Sequence, residues 1–77
     1  MHEIIPKRPY RHFKGKLYYV HDILQHSETG RLYVSYQALY EPYLMYTKPL
    51  DLFAAEVEPE RNDNIMNQRY KFELYGG

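Results

Sequence analysis

A predicted β-hairpin near the middle of the chain most constrains what this sequence can fold into. Side chains that favour strands recur with a period of two over residues 17–26 and again over 31–40. Between these stretches lies the turn Ser27-Glu28-Thr29-Gly30, in which Ser favours the first position and Gly30 can adopt a positive φ at the end. Two strands joined by so short a turn are antiparallel.

The first strand of this hairpin contains a change of phase. Tyr18 and Val20 lie on one face, but the next clearly apolar residue of that face is Ile23 rather than Asp22. One additional residue near His21 therefore predicts a β-bulge, which bends a strand and increases its twist.

The rest of the chain is divided into short segments by Pro, Gly and polar residues. Residues 36–46 also match helical spacing, but Pro42 would break such a helix, so we predict a turn there and a strand after it. The expected order around the hairpin is an extended lead-in over 1–9, a short strand over 10–13, a strand over 44–48, one helical turn over 49–53, a short strand over 54–58, a polar loop over 59–68 and a C-terminal strand over 69–75.

These segments predict an all-β single domain, a small SH3-like barrel built on a strongly bent antiparallel sheet, with its core over residues 8–58. An OB-type barrel is the alternative, although a chain of 77 residues is short for one. Because there is no cysteine for a disulfide, the ten Tyr and three Phe must supply much of the buried area. We expect Leu50 and Phe53, three residues apart on one helical turn, to plug one end of the barrel. The predicted core residues are Phe13, Tyr18, Val20, Ile23, Val34, Tyr36, Leu39, Leu50, Phe53 and Val57.

Several blocks of the sequence occur in an order that is typical of one protein family. They are Tyr10-Arg11-His12-Phe13-Lys14-Gly15, His26-Ser27-Glu28-Thr29, Tyr36-Gln37-Ala38-Leu39-Tyr40 and Lys48-Pro49-Leu50-Asp51-Leu52-Phe53. Through them the chain resembles, over about residues 8–57, a family of small bacterial proteins of unknown function, the one numbered 1653. Lys48, Leu52 and Tyr46 stand where that family usually has Arg, Met and Trp. The resemblance implies a compact, mostly β, bacterial protein and assigns it no activity.

The charge of the chain is balanced overall but polarised along its length. A net charge of zero argues against a general polyanion binder. Residues 1–31 nevertheless contain six Lys or Arg and three Asp or Glu, which leaves them at net +3. Five cations near the N-terminus, interleaved with aromatic rings, fit either a single-stranded nucleic-acid platform or a solvated basic edge strand. These cations are Lys7, Arg8, Arg11, Lys14 and Lys16.

The histidines do not predict a metal site or a catalytic group. Zinc needs three or four converging ligands, and His12, His21 and His26 lack the spacing of known zinc motifs. His26-Ser27-Glu28 places an imidazole, a hydroxyl and a carboxylate side by side, but adjacent residues on an exposed turn are typical of turn chemistry. We therefore predict a protein that is not an enzyme and that holds neither a metal nor a cofactor.

The tyrosines point instead to a binding surface. Tyr36, Tyr40, Tyr43 and Tyr46 are too many for one small core, so some must lie at the surface. Aromatic-lined grooves bind extended peptides, and Tyr is a common anchor in protein interfaces. We predict a non-enzymatic interaction module for a protein or peptide, with homo-oligomers as an open alternative. The candidate binding residues are Tyr10, His12, His26, Glu28, Tyr36, Gln37, Tyr40 and Tyr46, among which we expect His12, His26 and Glu28 to share a polar network.

No segment predicts contact with a membrane. No apolar run approaches 18 residues, and the first residues lack the apolar core of a signal peptide. The sequence therefore predicts a cytoplasmic protein.

Overall fold

Five strands and one short helix make up the structure, a computed structural model that describes residues 2–76. In chain order they are β1 (Arg8–His12), β2 (Leu17–Gln25), β3 (Leu32–Ala38), β4 (Met45–Pro49), α1 (Leu50–Phe53) and β5 (Phe72–Leu74). All the strands belong to one antiparallel sheet in the order β4-β3-β2-β1-β5. The predicted mainly β, antiparallel class is confirmed. No helix in this part of the chain is long and apolar enough to cross a membrane.

The central hairpin is confirmed, together with its bulge and its turn. Strands β2 and β3 pair antiparallel, and the register shifts between Val20 and Asp22, so that His21 is the additional residue. At the turn, the His26 N–H donates to the Arg31 carbonyl at 2.8 Å, and the Gly30 N–H donates to the His26 carbonyl at 2.9 Å. Gly30 has a φ of +75°, as its position predicted.

Replacing Gly30 with alanine is expected to lower the free energy of unfolding by about 1 kcal/mol, because a Cβ is disfavoured at positive φ. The added methyl group has room, since its nearest neighbour is the Gln25 side-chain nitrogen at 3.6 Å, so the cost is conformational. A thermal melt should show the midpoint reduced by about 4–8 °C. An unchanged melting temperature would contradict the turn assignment.

The sheet does not close, so the predicted SH3-like barrel is not confirmed. Strand β4 lies at one edge and β5 at the other, and within residues 2–76 these two strands do not pair. Strand β5 is only three residues long and pairs with β1 alone, from Tyr10 to His12. The segment between α1 and β5 forms a loop with a single isolated bridge, Glu56 to Tyr70, where a strand over 54–58 was predicted.

Several boundaries differ from the predicted ones at the ends of strands. Strand β1 begins at Arg8, inside the predicted lead-in, and it is an inner strand because β5 pairs along its other side. Strand β3 ends at Ala38 because the chain bends at the next two residues before the Glu41-Pro42 turn. Leu39 falls in that bend and is exposed, so its predicted place in the core is wrong.

The core lies between the concave face of the sheet and helix α1. Phe53 stacks on Phe72 with 4.0 Å between ring centroids, and its edge meets Tyr36 at 5.0 Å and Tyr10 at 6.1 Å. Of the predicted core, Phe13, Val20, Val34, Tyr36, Phe53 and Val57 are buried, while Tyr18, Ile23 and Leu50 are partly buried. The prediction omitted buried side chains at Ile4, Tyr10, Ala38, Ala54 and Phe72.

Candidate binding site

Each of the five strands contributes an aromatic ring to the concave face of the sheet, and β1 also carries the buried Tyr10 there. Residues that pair directly across an antiparallel sheet share a face. Tyr36 pairs with Tyr46 across β3 and β4, and His12 pairs with Phe72 across β1 and β5. Tyr18 of β2 stands between these two pairs. With Tyr40, which follows β3, these residues form a group that we call the aromatic cluster: His12, Tyr18, Tyr36, Tyr40, Tyr46 and Phe72.

Curvature of the sheet draws the rings of the cluster together. Neighbouring rings are 5.6 Å apart for Tyr36 and Tyr46, and 5.7 Å apart for Tyr18 and Tyr36. Phe72 comes from the far edge strand, yet its ring lies 5.8 Å from Tyr36 and 5.6 Å from Tyr18. Most of these contacts are edge-to-face, the geometry that the aromatic quadrupole favours. The cluster has a floor of buried Tyr36 and Phe72 and a rim of more exposed rings.

Two tyrosine hydroxyls of the rim are hydrogen-bonded to each other. The Tyr18 and Tyr40 hydroxyl oxygens are 2.7 Å apart. Burial first, and then this hydrogen bond, raise the pKa of Tyr18, and burial also raises the pKa of Tyr36. Both hydroxyls therefore stay neutral at physiological pH and can act as hydrogen-bond donors or acceptors to a ligand.

Two lysines lie over the rings without acidic partners. The Lys16 ammonium is 4.7 Å from the Tyr40 centroid, and the Lys48 ammonium is 5.4 Å from the Phe72 centroid. Among the residues that the structure describes, neither forms an ion pair, whereas Lys14 pairs with Asp63 and Lys71 with Glu58. Burial, and then repulsion from Lys71, lower the pKa of Lys48. The cluster thus offers apolar ring faces beside uncompensated positive charge.

His12 is held neutral at one end of the cluster. It stacks on Phe13 at 4.2 Å, and its Nδ1 accepts a hydrogen bond from the Lys14 backbone N–H at 3.1 Å. Burial, and then the positive charges of Lys48 and Lys14, lower the pKa of His12 to about 4 from the ordinary 6.5. A cation here would be repelled by its neighbours, so His12 contributes a neutral ring.

Acid is expected to destabilise the fold through His12. Between pH 6.5 and about 4 the unfolded chain binds a proton at His12 that the folded chain excludes, so stability rises with pH across this window and is lost as pH falls. After discounting for partial exposure, the loss attributable to His12 is about 1–2 kcal/mol. Urea unfolding at pH 7 and at pH 4.5 measures the free energy of unfolding at each pH. Its decrease between the two should be smaller for His12→Phe than for the parent. Equal losses in the two proteins would contradict the assignment.

The structure brings half of the sequence-predicted binding residues together. His12, Tyr36, Tyr40 and Tyr46 belong to the aromatic cluster. The other predicted residues lie elsewhere. Tyr10 is buried, and its hydroxyl accepts the Ile5 N–H at 2.8 Å. Gln37 lies on the opposite face of the sheet, where its side chain is hydrogen-bonded to His21 at 2.9 Å. His26 and Glu28 lie at the tip of the hairpin.

The predicted polar network of His12, His26 and Glu28 does not form. His12 lies beside the start of β2 and His26 beyond its end, and nine strand residues separate them by roughly 30 Å. At the hairpin tip, His26 Nδ1 accepts the backbone N–H groups of Glu28 and Thr29 at 3.2 and 3.3 Å. His26 is therefore a turn-capping residue, in keeping with the turn chemistry that the sequence predicted for this segment.

The predicted position of the basic segment at an edge strand is wrong, because β5 pairs along the other side of β1. The Arg11 Nε donates to the Gln68 side chain at 2.8 Å, and Lys14 pairs with Asp63 at 3.4 Å. Arg8 lies opposite Val20, at the other end of β1 from His12. Of the five cations, only Lys16 lies over a ring of the aromatic cluster.

The sequence reasoning missed part of the site. Tyr18 was predicted as core, Phe72 only as part of a strand, and Lys48 only within a family block. Tyr46 and Lys48 are two residues apart in one strand, so their side chains lie on the same face. This spacing is the signal from which Lys48 could have been predicted beside the tyrosines. No comparable local signal exists for Phe72, whose neighbours in the cluster come from distant parts of the chain. Within residues 2–76, no three His, Asp or Glu side chains are grouped so that they could hold a metal ion.

Comparison with known proteins identifies one match. A family model described as "Protein of unknown function (DUF1653)" matches residues 8–72, which include β1 to β4, helix α1 and the first residue of β5. No curated protein and no solved structure matches the chain.

Proposed function

The chain belongs to the DUF1653 family of proteins of unknown function, and from its own geometry we propose that it is a non-enzymatic interaction module. Its ligand is an extended peptide of a protein partner that carries an apolar or aromatic side chain next to an acidic one. The observation that carries this proposal is the pairing of the aromatic cluster with two lysines, Lys16 and Lys48, that have no acidic partner within residues 2–76. We propose further that the protein acts in the bacterial cytoplasm. We also propose that its bent sheet is similar to that of SH3-like domains.

The chemistry of the cluster favours such a ligand. The partly exposed rings of Tyr18, Tyr40 and Tyr46 are stiff and amphipathic, so they lose little conformational freedom when a side chain packs on them. Lys48 is already partly desolvated, and a carboxylate placed beside it would gain a charge-assisted hydrogen bond. Aromatic-lined grooves of this kind bind extended peptides in SH3-like domains.

Substitution of Tyr46 or Lys48 is expected to weaken peptide binding about tenfold or more, because each is a central contact of the proposed site. The probes are fluorescent eight-residue peptides with Trp or Pro beside Asp or Glu, compared with the same peptides bearing Asn or Gln. Fluorescence anisotropy should show binding of the acidic set, weakened in Tyr46→Ala and Lys48→Gln. The matched controls are Tyr43→Ala and Lys7→Gln, since both residues are exposed and lie outside the cluster. Equal binding of acidic and amide peptides would contradict the proposal.

Single-stranded nucleic acid is the alternative ligand, since stacking rings beside lysines also suit bases and phosphates. It is favoured less because Arg11 and Lys14 are engaged in contacts within the chain. A fluorescent oligo-dT of twelve nucleotides separates the two proposals. Phosphate contacts would make its affinity fall steeply with salt, whereas a peptide held by one or two charges would respond weakly.

A further inference from the structure

Four consecutive large apolar residues are exposed where the chain enters edge strand β4. Their exposed fractions are 52% for Tyr43, 51% for Leu44, 57% for Met45 and 39% for Tyr46. A run of this kind on a small domain is unusual unless it has a function, and an open strand edge is a template for pairing with another strand. Lysine is the usual protection of such an edge, but the Lys48 side chain lies back over Phe72.

The hydrogen-bonding pattern shows which backbone groups of β4 face outward. The Ala38 N–H donates to the Leu44 carbonyl at 3.0 Å, so this pair belongs to the hydrogen-bonded set between β3 and β4. Hydrogen-bonded pairs alternate along an antiparallel ladder, so Tyr46 and Lys48 also bond inward. The N–H and C=O groups of Met45 and Thr47 therefore point away from the sheet.

We propose that β4 pairs with β4 of a second copy of the chain, antiparallel, about a two-fold axis at Tyr46. In this register, Met45 of each copy lies opposite Thr47 of the other. Each of these residues donates its N–H and accepts through its C=O, which gives four backbone hydrogen bonds and leaves no outward group of Met45 or Thr47 unpaired. The two five-stranded sheets become one continuous sheet, and the two Tyr46 side chains meet at the axis. This inference does not rest on the proposed function.

The position of Pro49 and the separation of the two Lys48 residues favour an axis at Tyr46 over an axis at Thr47. An axis at Thr47 would place Met45 opposite Pro49, which has no N–H to donate. An axis at Tyr46 places Lys48 opposite Leu44 of the other copy, and it keeps the two Lys48 residues roughly 14 Å apart along and across the strands. No like charges are directly opposed, which makes the edge compatible with its own copy.

The area available predicts a reversible dimer. The exposed run presents about 450 Å² per copy, which is roughly half of what each partner contributes to a standard interface. A second copy is also always present at the concentration of the protein itself. We therefore expect a dissociation constant on the order of 10–100 µM.

A single cysteine tests the register, because the chain contains no other thiol. At the axis, facing residues of a non-hydrogen-bonded pair have Cα atoms about 4.5 Å apart, which is within the range of a disulfide. Tyr46→Cys should therefore form a covalent dimer on mild oxidation at about 100 µM protein. The matched control is Leu44→Cys, on the same face and similarly exposed, whose two copies would lie roughly 14 Å apart. Equal crosslinking of the two variants, or none in Tyr46→Cys, would overturn the proposal.

A backbone substitution tests the hydrogen bonds separately from the side chains. Thr47→Pro removes an outward N–H without touching the β3–β4 ladder, so the fold is expected to survive, as a circular dichroism spectrum would verify. Sedimentation equilibrium should show the parent and Thr47→Ala approaching twice the 9.4 kDa of one chain. Thr47→Pro should raise the dissociation constant about 10- to 100-fold, since two hydrogen bonds per dimer are lost. A monomeric parent at about 1 mM, which is at least about ten times the expected dissociation constant, would overturn the proposal even if the edge were found to bind a peptide.

Discussion

Replacing Phe53 with alanine is expected to lower the free energy of unfolding by about 3–5 kcal/mol, much of the stability of a domain this small. The side chain is 0% exposed and lies where the rings of Tyr10, Tyr36 and Phe72 meet. Alanine would leave a cavity that these rings cannot fill, because each is anchored in its own strand. The loss has two parts: the free energy gained by burying the ring away from water, and the van der Waals contacts that the residues around the cavity no longer make.

Urea unfolding followed by circular dichroism measures this loss. Leu52→Ala is the matched control, since Leu52 belongs to the same helical turn but is exposed, and it should cost less than about 1 kcal/mol. Where Phe53→Ala is too unstable to fold, Phe53→Leu keeps the measurement possible with a smaller loss. If Phe53→Ala cost no more than Leu52→Ala, helix α1 would not be the cover of the core that the structure indicates.

The parts of the fold that could be predicted from the sequence are those fixed by local chemistry. The hairpin follows from period-two side chains on either side of a turn that ends in Gly30, and its register change follows from the phase slip near His21. Strand ends were less well predicted, because Leu39 and Tyr40 favour strands but are bent by the turn that follows. Here the tertiary course of the chain overrides local propensity.

The overall arrangement of the sheet could not be predicted in the same way. Whether a bent sheet closes depends on whether its edge strands reach each other, and the partner of β5 lies about 60 residues earlier in the chain, at Tyr10 to His12. Nothing in the local sequence specifies that pairing. The same contact makes β1 an inner strand, which removes the basic edge that its composition predicted.

The structure groups predicted tyrosines on one face where the rings exceed what the core can hold. Tyr36, Tyr40 and Tyr46 form the cluster because their strands or turns place them on the concave face. His26 and Glu28 did not join it, because the His26 ring accepts backbone N–H groups of its own turn. Tyr18 was predicted only as a core residue and Phe72 only as part of a strand. In this small domain each of these rings contributes both to the core and to the aromatic cluster.

Gln68→Leu is expected to lower the free energy of unfolding by about 2–4 kcal/mol, because more than one polar group loses its partner and each such loss costs about 1–3 kcal/mol when the group is buried. Gln68 lies in the segment that the sequence predicted as a polar loop, but it is only 5% exposed. Its side-chain oxygen accepts the Arg11 Nε–H at 2.8 Å, and its amide nitrogen donates to the Arg11 and Tyr70 carbonyls at 3.0 and 3.1 Å. Leucine would fill a similar volume and leave these groups unpaired.

The matched control for this substitution is Gln25→Leu, an exposed glutamine whose side chain makes only a long bond of 3.3 Å to Gly30, and it should change stability by less than about 0.5 kcal/mol. Gln68→Glu separates the two halves of the contact. Glutamate keeps the acceptor for Arg11 but turns a second acceptor oxygen toward the Arg11 and Tyr70 carbonyls, so this variant should also be less stable than the parent. The Gln68 side chain holds the loop that precedes β5 against β1, the strand with which β5 pairs. Gln68→Leu should therefore speed hydrogen exchange at the amides of β5 more than at those of β3. A uniform change across the sheet would mean that the loop docks without Gln68.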